Sequence, residues 1–360
     1  SAPNFKFDLI VPAHDEENGI ARTVQSLLAV DYAASLRRVI VVADNCTDRT
    51  AERARSAGAH VLERRDPSLR GKGYALDFAF QASLVDRFAD AVVVIDADTV
   101  VTPNLLRALS ARISSGSSAI QVGSAVSNAQ ASWRTALTAL GFALFNGVRS
   151  LGRERLGLSC GLRGNGMCFT RELLLEHPHR ACSLVEDVEQ GIALGRSGIR
   201  VAFAHDAVVA SCMPVTEKAA RSQRQRWENG RRGMARQQAV PLLVEALKRR
   251  DGILLDLAID LLIPPLSRIA FASAVGNAVV FAASLSQGFH FTAAWPWALS
   301  LGFLLAYVMR GWQLSALGVR GLRCLAWVPV YVFWKLTLPF RRSGRAEGEW
   351  VRTHREMGAP

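Results

Sequence analysis

The chain has 360 residues, 50% of them hydrophobic, enough for a sizeable core in one large domain or two smaller ones. Its 43 Lys and Arg against 31 Asp and Glu leave a net charge of +12. Six scattered cysteines include no C-x-x-C pair, which excludes a clustered thiolate zinc site and suits reduced thiols in a cytosolic domain.

Phe5 to Pro12 is too short for a signal peptide and runs straight into a strand pattern. The chain begins with Ser1 rather than Met, consistent with removal of something upstream. Phe7 to Val11 reads as a first strand ending at Pro12. Gly19 to Leu28 has helical spacing, with Ile20, Val24, Leu27 and Leu28 on one face. Val39 to Ala43 is a second strand, and a helix from Arg49 to Ala57 stops at Gly58. A short third strand, His60 to Glu63, precedes Gly71-Lys72-Gly73, which opens a helix through Ala82. Ala91 to Ile95 is a continuous apolar run that suits a buried parallel strand. Strands alternating with helices at this spacing predict a doubly wound α/β sheet covered on both faces, with ligands at the carboxyl ends of its strands.

Beyond Pro214 the character changes. Lys218 to Arg250 carries ten basic residues against Glu228 and Glu245, and Ile269 to Met309 has no Asp, Glu, Lys or Arg. A basic block before a long uncharged stretch fits the cytosolic face of a membrane, whereas a nucleic-acid partner would call for a recognisable binding motif. A span needs about 20 residues, and Gln287-Gly288 and Pro296 interrupt the run near its middle. Two spans with both ends cytosolic are therefore expected, flanked by Arg268 and by Arg310, Arg320 and Arg323. The alternative is a buried helical hairpin of a soluble protein. Cys324 to Trp334, followed by Lys335, Arg341 and Arg342, suits a helix lying in the membrane surface. The expected boundaries are a catalytic domain over 1–216, basic interfacial helices over 217–265, a transmembrane hairpin over 266–311 and an amphipathic tail over 312–360.

The chemistry concentrates in acidic motifs at strand ends. Asp96-Ala97-Asp98 follows the fourth strand; hard oxygen ligands there suit Mg2+ or Mn2+ on a diphosphate, and the alternative is turn chemistry. Asp44 ends the second strand, where a carboxylate can accept from a nucleobase or ribose, while Thr47 or Asp48 caps the next helix. The turn Pro12, Ala13, His14, Asp15 and Glu16 supplies a second wall of the same pocket, and Lys72 one cation. Glu186-Asp187 opens an apolar helix ended by Gly198; capping is the plain reading, and Asp187 is the candidate general base. Gly164-Asn165 suggests a close backbone approach beneath an acceptor. In Gln223-Arg224-Gln225-Arg226-Trp227, Arg226 suits diphosphate oxygens, Trp227 can stack on a sugar and Gln223 lies one turn back. The alternative for this stretch is a basic helix on lipid headgroups.

Taken in order, Pro12-Ala13-His14-Asp15-Glu16, Asp44, Asp96-Ala97-Asp98, Glu186-Asp187 and Q-x-x-R-W resemble family 2 glycosyltransferases of the GT-A fold over residues 7 to 230. The Q-x-x-R-W resembles the branch containing cellulose, chitin and hyaluronan synthases. The resemblance implies an inverting, single-displacement transfer from a UDP-sugar. It also implies that Asp44 and Asp96 hold the nucleoside, Asp98 the metal, that Asp187 is the base, and that Gln223, Arg226 and Trp227 hold the diphosphate end. Val185 stands where the polymerising members often carry Thr, and those synthases have more membrane helices. The expectation is an inner-membrane enzyme, catalytic domain cytosolic, acting on a lipid-linked or membrane-presented saccharide and able to form homo-oligomers. The bacterial assignment leans on the preference for arginine, with five lysines among the 43 basic residues. The rival readings are a processive polysaccharide synthase, a silent membrane scaffold of the same fold and a polyprenyl-phosphate sugar transferase.

Overall fold

The first strand shows how the sheet is covered. Along β1 (Phe7–Ala13), Phe7, Leu9, Val11 and Ala13 enter one hydrophobic cluster and Ile10 enters another, so both faces are buried. In a computed structural model, which describes residues 5–183, 185–287 and 291–337, eight strands form one curled sheet. The others are β2 (Arg37–Asp44), β3 (His60–Arg64), β4 (Ala91–Val94), β5 (Thr99–Val101), β6 (Ala119–Val126), β7 (Met167–Thr170) and β8 (Val201–Ser211). Their order is β3-β2-β1-β4-β7-β6-β8-β5. The expected parallel, two-sided α/β sheet holds for β3, β2, β1 and β4. Beyond β4 the sheet departs from it: β7 runs antiparallel to both β4 and β6. That reversal brings the residues just before β7 beside those just after β4.

Helices α1 (Ile20–Leu28), α2 (Thr50–Ser56), α3 (Lys72–Asp86) and α4 (Leu105–Ser114) cover the first half. After β6, α5 (Trp133–Phe142) starts from a capping box in which Ser132 and Thr135 satisfy each other's backbone N–H groups. A π-helical segment (Ala143–Arg149) joins it to α6 (Ser150–Arg155). Between β7 and β8 come α7 (Arg171–Glu176) and α8 (Glu186–Arg196). At the end of the sheet away from the strands' carboxyl termini, Arg38 forks onto buried Asp8 at 2.8 and 2.9 Å, and Ser83 donates to Asp8 at 2.6 Å.

The basic stretch is one 33-residue helix, α9 (Glu217–Arg249), continuous through Pro241. Met234, Ala239, Leu242 and Ala246 bury against Ile192 of α8 and against Leu254, Ala258 and Leu261 of α10 (Gly252–Leu262). The helix thus rests one stripe on the catalytic domain. Two further helices, α11 (Leu266–Gln287) and α12 (Phe291–Leu314), run antiparallel: Ser273 meets Ser300 at 2.6 Å, and Asn277 Nδ2 donates to the Trp297 carbonyl at 3.1 Å. By length and composition, one of them, over Leu266–Leu285, could cross a membrane. The segment expected as a single interfacial helix is instead two, α13 (Gly318–Leu325) and α14 (Val328–Thr337). Trp327 between them stacks on Trp133 of α5 at 5.1 Å, and Lys335 pairs with Glu228 of α9 at 3.0 Å. Gly288, Arg341 and Arg342, with the rest of the expected tail, lie outside the described residues.

Candidate active site

Lys72, the first residue of α3, is the hub. Its ammonium donates to Asp96 Oδ1 at 2.6 Å and to the Gly164 carbonyl at 2.5 Å, and lies 3.5 Å from Glu186 Oε1. Three separate stretches therefore meet: the end of β4, the loop before β7 and the start of α8. Gly164 makes the approach possible. With φ +76°, it leaves the space where a Cβ would begin 3.4 Å from Lys72 Nζ, 3.6 Å from Asp187 Oδ2 and 3.7 Å from Glu186 Oε1.

Asn165 braces the loop. Its Oδ1 accepts from the Asp96 backbone N–H at 3.1 Å, and its Nδ2 donates to Thr99 Oγ1 at 2.8 Å and Ser211 Oγ at 3.1 Å. Buried Gln121 of β6 donates to the Asn165 carbonyl at 2.7 Å and accepts from the Arg163 N–H at 2.9 Å. These bonds fix the backbone of the loop from Arg163 to Gly166 against β4, β6 and β8.

Burial governs the electrostatics. It pushes the Glu186 carboxyl up to about 7, with Lys72 opposing and Asp187 adding to the rise. Asp187 is raised for the same reason, against Lys72 and Arg163, while its Oδ1 accepts from the Val188 N–H at 2.9 Å. For Lys72, burial would lower the pKa, but Asp96 and Glu186 outweigh it and hold the ammonium above its ordinary range. A carboxyl pair raised in this way beside a fixed cation can take a proton at neutral pH.

The second wall forms from the loops after β1 and β2. His14 Nδ1 lies 2.8 Å from the Asp44 carbonyl, and the Glu16 N–H donates to Thr50 Oγ1 at 2.8 Å. Asp44 is fully buried, and Arg64, its partner in strand register, donates to its Oδ1 at 2.6 Å. Its Oδ2 has no hydrogen bond, so an acceptor stands ready for a ligand N–H or O–H. Pro12 and Ala13 are buried at the end of β1. Sequence reasoning missed Arg64, although its charge at the end of β3, opposite Asp44, was a signal. Asp15, within the turn expected to form this wall, accepts with its carboxylate from the Thr47 N–H at 2.7 Å and the Asp48 N–H at 3.3 Å.

Asp98 stands just before β5 and accepts from Thr99 Oγ1 at 3.3 Å, while the Asp96 side chain is 38% exposed. Both offer hard carboxylate oxygens of the kind Mg2+ and Mn2+ take. A second set, Asp15, Cys46 and Asp48, has ligand atoms within 4.8 Å of one another. There burial pushes the Cys46 thiol up to about 11, which leaves it protonated, and a thiol suits a hard cation poorly.

The Q-x-x-R-W residues line a different space. Gln223 and Trp227, with Arg224, face an aromatic pocket that includes Trp133, Tyr331 and Trp334. Trp227 packs on Phe142 at 6.3 Å. Arg224 donates to the Tyr331 hydroxyl at 2.8 Å, and Arg226 is partly buried with no hydrogen bond or ion pair among the described residues. No polar contact among those residues joins the motif to the Lys72 group. Proximity comes through packing: a Cβ on Gly230 would begin 2.4 Å from Val185, the residue before Glu186.

The acidic groups at the strand ends and the carboxyl pair beside the Gly164 loop sit on a GT-A-like α/β fold. Residues 3–230 match the family described as glycosyltransferase like family 2, and the chain belongs to that family. It is 32% identical over 172 residues to the beta-monoglucosyldiacylglycerol synthase of Synechocystis, covering 46% of this chain and 35% of that protein. It is 38% identical over 73 residues to the low-salt glycan biosynthesis hexosyltransferase Agl6 of Haloferax volcanii, covering 20% and 17%. The matches thus span about a third or less of those relatives' length. Among solved structures, the mannosyltransferase PcManGT from Pyrobaculum calidifontis in complex with GDP-Man and Mn2+ has the same fold. Its TM-score is 0.50 at 18% identity, over 85% of this chain and 86% of that one.

Proposed function

We propose that this chain is a membrane-anchored, inverting hexosyltransferase that moves one sugar, or a few, from a UDP-sugar to a lipid-linked or membrane-presented acceptor. The observation that carries the reading is the convergence of Lys72, Asp96, Glu186 and Asp187 around Gly164. Buried Asp44, with one free acceptor oxygen, serves the base or ribose of the donor. Asp98, with Asp96, would hold a Mg2+ or Mn2+ ion, which screens the diphosphate charge and so eases its departure. Asp187 takes the proton of the acceptor hydroxyl as that oxygen bonds to the anomeric carbon. The bond from that carbon to the diphosphate breaks with its electron pair, so one substitution inverts the configuration. Arg226 is the cation available for the departing diphosphate, and Lys72 holds the acidic group together.

Three facts support the membrane part. Leu266–Leu285 is long and apolar enough to span. Phe271, Val275, Val279, Phe281 and Leu285 on that helix are exposed. The Synechocystis relative is named for a glycolipid product. The catalytic domain then lies on the cytosolic side, since Arg268 and Arg310 flank the apolar pair.

The test is UDP release by detergent-solubilised chain over a panel of UDP-sugars, with and without Mg2+ or Mn2+. One sugar should support metal-dependent release. Asp187→Asn should keep UDP binding while turnover falls by at least about a hundredfold, the ordinary worth of a positioned base. Near-normal turnover in that variant would remove Asp187 from the role; wild-type chain that binds no UDP would remove the transferase reading altogether.

A further inference from the structure

Next to the base lies a group of arginines that the reaction described above does not use. The π-helical segment presents the ring of Phe145, and three guanidiniums gather over it: Arg163 at 4.2 Å, Arg149 at 4.9 Å and Arg231 at 5.6 Å. Arg153, one turn beyond Arg149, is the fourth. Among the described residues Asp256 and Asp260 of α10 pair with them, and Asp187 also acts on Arg163. Arg153 pairs with both α10 aspartates, at 2.6 Å to Asp260, and Arg149 also pairs with Asp260. Arg231 spends its donor on the Asp260 backbone carbonyl at 2.6 Å, with the carboxylate 4.0 Å away.

Fastening α10 to α6 accounts for Arg153 and its two aspartates. It does not account for Arg163, which donates to the Cys160 carbonyl at 2.8 Å and whose buried Nε has no hydrogen bond. Four cations against three anions, Asp187 included, still leave a surplus in a region where Arg149 is 17% and Arg153 9% exposed. Such a surplus is costly unless an anion joins it. Burial and the three neighbouring arginines push the Arg149 guanidinium down to about 9.

Position suggests which anion. Arg163 immediately precedes Gly164, and its charge is felt at Asp187. Arg231 follows Gly230, which rests on Val185. On the opposite side the π-helical segment sits on α12. There the Tyr307 hydroxyl donates to the Leu144 carbonyl at 2.8 Å, and Leu144 fills the space where a Cβ on Gly311 would begin, 2.3 Å away. The arginines therefore lie between the base and the apolar helices, apart from the donor walls at Asp44 and His14.

We propose that Arg149, Arg163 and Arg231 form the acceptor's anion seat, binding a phosphate group carried by the acceptor and so holding its hydroxyl at Asp187. The planar guanidinium fork matches phosphate oxygens. This assignment rests on the reading of Asp187 as base. Two sources share the chemistry, a lipid phosphate and a soluble phosphate ester.

The test uses full-length chain in neutral detergent, with fluorescent phosphatidic acid as the lipid probe and glycerol 3-phosphate and inorganic phosphate as soluble ones. UDP binding is measured on the same preparations. Saturable phosphatidic acid binding, competed by both soluble probes and weakened about tenfold or more in Arg149→Gln/Arg163→Gln with UDP binding intact, is the expected result. Arg149→Lys/Arg163→Lys should recover part of it and gives a folded comparison should the Gln variant fail to fold. Glycerol 3-phosphate binding as tightly as the lipid would assign a soluble ester; much weaker binding would assign a lipid. Wild-type chain that binds UDP but none of these probes, or Gln and Lys variants that bind phosphatidic acid as wild type does, would overturn the anion seat and leave the transferase reading standing. Loss of UDP binding by the wild type would strike the transferase reading instead.

Discussion

Glu186 and Asp187 decide how the site answers to pH. Burial raises both carboxyls, Glu186 to about 7, so the folded chain holds protons that an unfolded chain releases. A base has to be ionised, so with Asp187 in that role kcat/KM should climb with pH along an acid limb above the ordinary carboxylate range. Stability moves the other way. Between the ordinary value of 4.5 and about 7 the folded form binds more protons, so this pair's contribution weakens as pH rises. A kcat/KM profile flat from pH 5 to 8 would show that neither carboxyl is the titrating base. Asp44 and Asp96 stood out in the sequence because each follows the end of an apolar strand, and Glu186 and Asp187 because they open an apolar helix. Arg64 did not, because its pairing with Asp44 follows from strand register.

Packing sets the junction of α8 and α9 beside the proposed base, while farther along Arg196 of α8 pairs with Glu245 of α9 at 3.0 Å. Gly230 lets α9 lie on Val185, since a Cβ there would begin 2.4 Å from a Val185 methyl. Gly230→Ala should therefore force the helices apart, at a cost of about 1–3 kcal/mol, and lower turnover more than UDP binding. Val185→Ala in the same chain should restore much of both; a double variant no better than the single one would mean that the crowding lies elsewhere. The same contact explains why Q-x-x-R-W was readable as a string but not as a surface. A 33-residue helix has many faces, and α5, α8, α10 and α14 decide between them which residues are covered. Propensity gave α9 its length; tertiary packing turned Gln223 and Trp227 toward Trp133 and Tyr331.

Across the whole molecule, the alternation of strands and helices revealed the α/β sheet as far as β4, and charge patterning revealed the apolar end. The antiparallel β7 left no mark, because a four-residue buried strand reads the same in either direction. Val279, 61% exposed on α11, tests the apolar end. Val279→Arg should cost about 3 kcal/mol in a spanning helix and release more chain from membranes under alkaline wash. Unchanged partition would place α11 on a protein surface instead. The reversal at β7 has a further consequence. The groups assigned to the donor come almost wholly from residues 12–98, and the loop, base and arginines from residues 121–260, with the β4–β7 ladder and the Asn165 amide as their stitching. Such a seam makes the chain modular. Recombination at β4 and β7 between relatives should exchange the acceptor that is glycosylated while the nucleotide sugar stays the same, so the two specificities are free to diversify at different rates.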